Sequence, residues 1–127
     1  MKRASIKRRT PVKRVNRKRK DAAFVRCYCS HERVEWVQRQ PCVVCLLEGD
    51  RTQESPSENA HAGGNDGMRR KGPFAEIIPA CRHDHDRLDG RALPPLPARV
   101  LSRLPELARH TQRQWVDFSS RGSEFPI

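Results

Sequence analysis

The chain has 127 residues, 35% of them hydrophobic and 6% aromatic, and its 26 Lys and Arg outnumber 15 Asp and Glu to give a formal charge of +11. That length suits one small domain, and so thin an apolar share leaves a core that needs a metal or a cross-link to hold it. No apolar run follows the basic N-terminus and none approaches bilayer length, which argues against a signal peptide and a membrane span and for a soluble protein.

The charge is unevenly placed. Residues 2 to 20 carry 11 of the 26 basic side chains and no acid, whereas residues 21 to 127 carry 15 of each sign. Residues 1–21 therefore read as a disordered basic tail, because a like-charged run with few apolar side chains cannot offset its ordering entropy. Its cations, Lys2, Arg3, Lys7, Arg8, Arg9, Lys13, Arg14, Arg17, Lys18, Arg19 and Lys20, can neutralise phosphates and release counterions, which points to sequence-independent nucleic-acid binding. A solubilising or targeting tail is the plainer alternative.

Residues 22–119 read as the folded domain, and 120–127 as a frayed terminus. Within 21–40 a short helix is expected, with Ser30 as N-cap, Glu32 in its first turn, Val34 and Val37 three apart, and Pro41 as its stop. Cys27 and Cys29 read as free thiols in a loop before it, with a C-x-C metal set completed by His31 as the alternative. Five cysteines without a secretion signal suit a reducing compartment, where Cys42 and Cys45, two residues apart, read as a zinc knuckle at 42–45. Residues 48–58 are polar and turn-rich. A strand is expected over 58–62, then a glycine-rich loop over 63–73 carrying Arg69, Arg70 and Lys71, then a second strand over 75–80 and a helix from Cys81 to Leu88 stopped by Gly90. Residues 93–97 (LPPLP) form a stiff linker. Leu101, Leu104, Ala108, Thr111, Trp115 and Phe118 then follow helical spacing, so a C-terminal helix is expected over 98–119, with Pro105 either kinking it or starting a second segment.

The chemistry is concentrated between Glu58 and Asp89, which hold three of the five histidines and four of the seven glycines. Cys42, Cys45 and Cys81 supply three thiolates for a structural zinc. The fourth ligand is open: Asp84 stands where a second C-x-x-C would place a cysteine, and His83 is the better ligand by its chemistry. His61 closes the first strand before the basic loop, a position suited to a general base. His85 and Asp89, four apart on the expected helix, share one face and can chelate a divalent ion. A histidine on a strand, a loop, a second strand and a metal-bearing helix together suit phosphodiester cleavage, in which the base deprotonates water and the ion stabilises the phosphate and the leaving oxygen.

Three segments, ERVEWVQRQPCVVC, NAHAGG and RRKGPFAEIIPACRHDHDRLD, resemble phage- and prophage-type HNH endonucleases, the ββα-metal nucleases that include recombination-enhancement nucleases dependent on RecA. The opening MKRASIKRRTPVKR is similar to the basic leaders of those proteins, and the resemblance spans roughly residues 1 to 90. It implies an α+β, zinc-stapled ββα-metal domain with its core at 58–90 and flanking helices. It also implies a DNA endonuclease of little sequence specificity, linked to recombination, that uses Mg²⁺ or Mn²⁺ beside a structural Zn²⁺ and no small-molecule cofactor. His61 would be the base, His85 a catalytic metal ligand, Cys42, Cys45 and Cys81 zinc ligands, and Arg70 and Lys71 phosphate contacts. DNA, a recombinase filament such as RecA, and a cytoplasmic, nucleoid-associated place in a bacterial host follow as expected partners and location. Where the family reads P-L-C-R-x-H-H-x-E-L-H, this chain has Asp84 for the first histidine of the pair and Asp89 for the last. The residue that holds the catalytic loop has Glu76 as its nearest counterpart, with Asn65 or Asp66 as loop alternatives. Two rival classes are a zinc module that binds nucleic acid without cutting it and a small RNA- or ribosome-associated protein.

Overall fold

The computed structural model describes residues 17–49, 51–62 and 72–122. In chain order it has helices α1 (Arg17–Tyr28), α2 (His31–Gln38) and α3 (Val43–Glu48), strand β1 (Ser57–His61), a 3-10 turn (Phe74–Glu76), strand β2 (Ile77–Cys81), and helices α4 (Arg82–Leu88), α5 (Ala98–Leu101) and α6 (Leu104–Gly122). It is a small α+β domain with a two-stranded sheet. No helix among the described residues is long and apolar enough to cross a membrane.

The strands pair antiparallel, with Ser57 opposite Cys81 and His61 opposite Ile77. All five residues of β2 are buried, because helices cover both of its faces. Ile78 and Ala80 join Cys42, Val44, Cys45, Val100, Leu104 and Ala108 in one cluster, while Ile77 joins Trp36, Val37 and Trp115 in another. The alternation of a pleated strand separates these two sets. Helix α6 spans both, with Leu104 and Ala108 in the first and Trp115 in the second. Pro79 is tolerated in β2 because only one of the strand's edges is paired among the described residues, so its missing N–H disrupts little of the ladder.

Local chemistry explains the element ends. Ser30 caps α2 by accepting from Arg33 N at 3.2 Å. Glycines at positive φ end α3 and α4, Gly49 at 78° and Gly90 at 77°, where a side chain would strain the backbone. Cys29 holds the corresponding position after α1 at φ 70° without being glycine. Pro105 sits in the first turn of α6 and so starts a second segment, which resolves the alternative left by the sequence. Arg33 on α2 is fully buried, donates to Gln112 Oε1 on α6 at 2.9 Å, and lies 5.3 Å from the Phe74 ring centroid. Burial lowers its pKa from the usual guanidinium value.

Four expectations need correction. Arg17 to Lys20, assigned to the disordered tail, form the first turn of α1, whose later turns carry Cys27 and Tyr28 into the core. Cys27 is accordingly a buried helical residue and lies outside any loop. The second strand begins at Ile77, because Pro73 presets φ −68° for the 3-10 turn over Phe74–Glu76. Ser120 to Gly122 continue α6, which no proline or glycine interrupts between Pro105 and Gly122, and Arg121 pairs with Asp117 at 3.3 Å on its last turns. Lys2, Arg3, Lys7, Arg8, Arg9, Lys13 and Arg14, the loop residues Asn65, Asp66, Arg69, Arg70 and Lys71, and residues 123–127 lie outside the described residues.

Candidate metal centre and active site

The knuckle is built by helix starts. Cys42 is the N-cap of α3, and its Sγ lies 3.4 Å from the backbone N–H of Cys45, so one helical turn brings both sulfurs to the same side. Gln53 Oε1 accepts from Cys42 N at 2.8 Å, while Gln53 Nε2 donates to Ser57 Oγ at 3.2 Å, which ties the knuckle to β1. Cys81 ends β2 and opens α4, and Asp84 follows in the first turn of α4.

These four residues converge. Asp84 Oδ2 lies 3.2 Å from Cys42 Sγ, 3.2 Å from Cys45 Sγ and 3.1 Å from Cys81 Sγ, and the sulfurs of Cys45 and Cys81 are 3.9 Å apart. All four ligand atoms lie within 4.8 Å of one another, and all four residues are buried. Zinc–sulfur bonds of about 2.3 Å in a tetrahedron put sulfurs about 3.8 Å apart, so the donor set fits a closed structural zinc site. Asp84, and not His83, is the fourth member. His83 is exposed on the wall of an open cavity of about 850 Å³, which Arg51, Ser55, Arg82 and Asp86 also line. One residue of helical rotation separates the two fates.

The far oxygen of Asp84 faces cations. Oδ1 accepts from Arg51 Nη1 at 2.6 Å and from Arg87 Nη1 at 2.8 Å, and the same two nitrogens each lie 2.7 Å from Glu48 Oε1. Burial opposes ionisation of Asp84, yet hydrogen bonds from Arg51 and from the three thiols hold its carboxyl well below the usual carboxylate range. Burial, reinforced by hydrogen bonding to Asp84, raises the thiol of Cys45 far above the ordinary range. Burial likewise raises the thiol of Cys81, to about 11. Arg87 holds Glu48 below its ordinary value, with Arg51 adding to the effect.

A second group lies on β1 and α4. His85 Nδ1 is 2.8 Å from Glu58 Oε1, and His85 Nε2 is 3.5 Å from Asp89 Oδ2. The ring therefore has one carboxylate at each nitrogen. A single ion can take Nε2 and Asp89, while Glu58 receives the Nδ1 hydrogen and keeps the ring in the tautomer with a lone pair on Nε2. The expected His85–Asp89 pair is thus brought together, and Glu58 is the member that sequence reasoning missed.

His61 is the last residue of β1, at the neck of the glycine-rich loop, where Ala62 N donates to Glu76 O at 2.9 Å. Glu76 folds its carboxylate back against Gly72, so a Cβ there would push that flexible side-chain end aside. His61 Nε2 lies 2.8 Å from the Cys27 carbonyl at the end of α1, and its ring meets Tyr28 edge-on at 5.2 Å. A carbonyl only accepts, so Nε2 carries the hydrogen, and Nδ1 is the basic nitrogen of the neutral ring. Strand alternation sends Glu58 and Ala60 toward α4 and the metal-side core, and Asn59 and His61 toward α2 and α1, where Asn59 Nδ2 donates to Val34 O at 3.1 Å. The structure accordingly places His61 on the opposite face of β1 from the His85 contact.

Comparisons of the chain with protein-family models, with curated proteins and with solved structures return no match.

Proposed function

We propose that this chain is a metal-dependent endonuclease of the HNH type that hydrolyses DNA phosphodiester bonds with little sequence choice. The observation that carries this reading is the strand–strand–helix unit β1–β2–α4. A candidate zinc site clamps it at the β2–α4 junction, a histidine stands at the end of β1, and a histidine–carboxylate pair sits on α4. Zinc held by Cys42, Cys45, Cys81 and Asp84 would supply folding energy, since a core this small gains much from a cross-link. Mg²⁺ or Mn²⁺ at His85 and Asp89 would stabilise charge on the scissile phosphate and the departing oxygen. His61, held by the Cys27 carbonyl at Nε2, would take the proton of the attacking water. Helix α1 exposes Arg17, Lys18, Arg19 and Lys20 in its first turn and ends at that carbonyl, about 14 Å further along at 1.5 Å per residue. DNA phosphates held there would lie within one helix length of the base.

One observation favours a rival. His61 and His85 face opposite sides of β1 and each already has a hydrogen-bond partner, which suits a zinc-stapled module that binds nucleic acid without cutting it. Plasmid nicking by the wild type with Mg²⁺, Mn²⁺ or chelator, compared with His61→Ala, separates the two. Metal-dependent nicking that His61→Ala abolishes, with DNA binding intact, is expected. A wild type that binds DNA but cuts with no metal would establish the binding module instead.

A further inference from the structure

The sulfur cluster carries a feature that a structural zinc site does not require. Its fourth member is a carboxylate, and the other oxygen of that carboxylate is held by two arginines which share one glutamate. Three thiolates and a carboxylate would surround a divalent ion with an excess of negative charge in a buried site. Such charge is costly to bury unless it is paired. Arg51 and Arg87 pair it, and Glu48 bridges the two guanidiniums, so that Asp84, Glu48, Arg51 and Arg87 together are neutral. To an ion on the sulfur side, this quartet presents an oxygen ligand with the net charge of a neutral histidine.

We propose that Arg51, Arg87 and Glu48 belong to the metal centre as a charge-compensating outer shell that allows Asp84 to act as a zinc ligand. This rests on the reading of the Cys42–Cys45–Cys81–Asp84 cluster as a zinc site. Three elements meet in the quartet: Glu48 ends α3, Arg51 lies in the following loop, and Asp84 and Arg87 are one turn apart on α4. Arg87 is further steered by donating from Nε to Pro94 O at 2.7 Å. Because Oδ1 is occupied by the guanidiniums, Asp84 is aligned to offer Oδ2 alone, as a one-oxygen ligand. An outer-shell partner of this kind typically changes metal affinity 10- to 100-fold.

A purely structural role for these ion pairs makes a different prediction, and two substitutions separate the roles. Arg51→Gln and Glu48→Gln both break the Arg51–Glu48 contact, so a packing role moves zinc affinity in the same direction for both. Charge compensation moves it in opposite directions: Arg51→Gln removes a cation and weakens zinc binding about 10- to 100-fold, whereas Glu48→Gln removes an anion and leaves binding as tight or tighter. The affinities are measured at one pH by competition with a chromophoric chelator, on the full-length chain. The Co²⁺ absorption spectrum then reports whether the ligand set stays tetrahedral and thiolate-rich. The Arg51 side chain is 29% exposed and lies on a loop, so its replacement is expected to fold. Should it fail to, Glu48→Gln decides alone, and weaker zinc binding in that variant overturns the proposal. Equal losses in both variants also overturn it. A wild type that takes up no zinc refutes the underlying site, and that result is seen before any variant is made.

Discussion

Zinc uptake should depend steeply on pH, and the structure gives the slope. The three sulfurs lie 3.2, 3.2 and 3.1 Å from Asp84 Oδ2. Burial raises Cys45 far above the thiol range and Cys81 to about 11, while Asp84 is held ionised. Binding zinc as three thiolates beside an ionised carboxylate would release three protons from sulfur and none from the carboxylate between about pH 6 and pH 8. Each displaced proton makes the apparent affinity about tenfold stronger per pH unit, or about 1.4 kcal/mol, so three give roughly a thousandfold and about 4 kcal/mol. The sign is an increase with pH, because a raised thiol pKa keeps the competing proton bound. Competition titrations against a chelator of known pH dependence yield the slope of log affinity against pH. A slope near two would show that one sulfur is not a ligand or is already a thiolate, and a slope near four that the carboxyl is protonated; either result refutes the assignment.

Other expectations follow from particular contacts. Glu58→Gln should weaken Mn²⁺ binding at His85 and Asp89 about 10- to 100-fold while zinc content is unchanged, checked by calorimetry on zinc-loaded protein, because a neutral amide does not hold the imidazole as a carboxylate does. Cys29→Gly should stabilise the domain by up to about 1 kcal/mol in urea unfolding, since φ 70° strains a residue with a Cβ; a loss of stability would show that the Cys29 side chain matters more than its backbone. Removing residues 1–20 should weaken DNA binding at every sequence and flatten its salt dependence, because residues 21–127 carry equal numbers of acids and bases. An unchanged salt slope would place the phosphate contacts within residues 21–127.

Much of the architecture was legible because its signals are local. The capping of α2 by Ser30, the stop at Gly90, the helical spacing from Leu104 to Trp115 and the C-x-x-C turn each depend on residues within a few positions of one another. The reading of 17–20 as tail failed because charge composition ignores what the following turns bury: Cys27 and Tyr28 anchor α1, and its basic first turn extends from them. The 3-10 turn was missed because an apolar run such as Phe74-Ala75 looks like strand until Pro73 and the backbone of Glu76 are considered. Glu58 left a faint trace, a carboxylate three residues before His61, but strand spacing of three gives no reason to pair it with a helix.

Residue identity and spacing along the chain mark the side chains that could carry chemistry: three cysteines for one metal, His85 and Asp89 one turn apart, and His61 ahead of a basic loop. They also determine that all net charge lies within the first twenty residues. The choice between Asp84 and His83 needs the fold, because the two are adjacent on the chain and the rotation of α4 sets which one turns toward the sulfurs. Only the fold could bring Glu48, Arg51 and Arg87 to the back of Asp84, or show that β1 turns His61 toward α1 and Glu58 toward α4. Those facts follow from how helices and strands pack, and packing joins residues that no spacing along the chain connects.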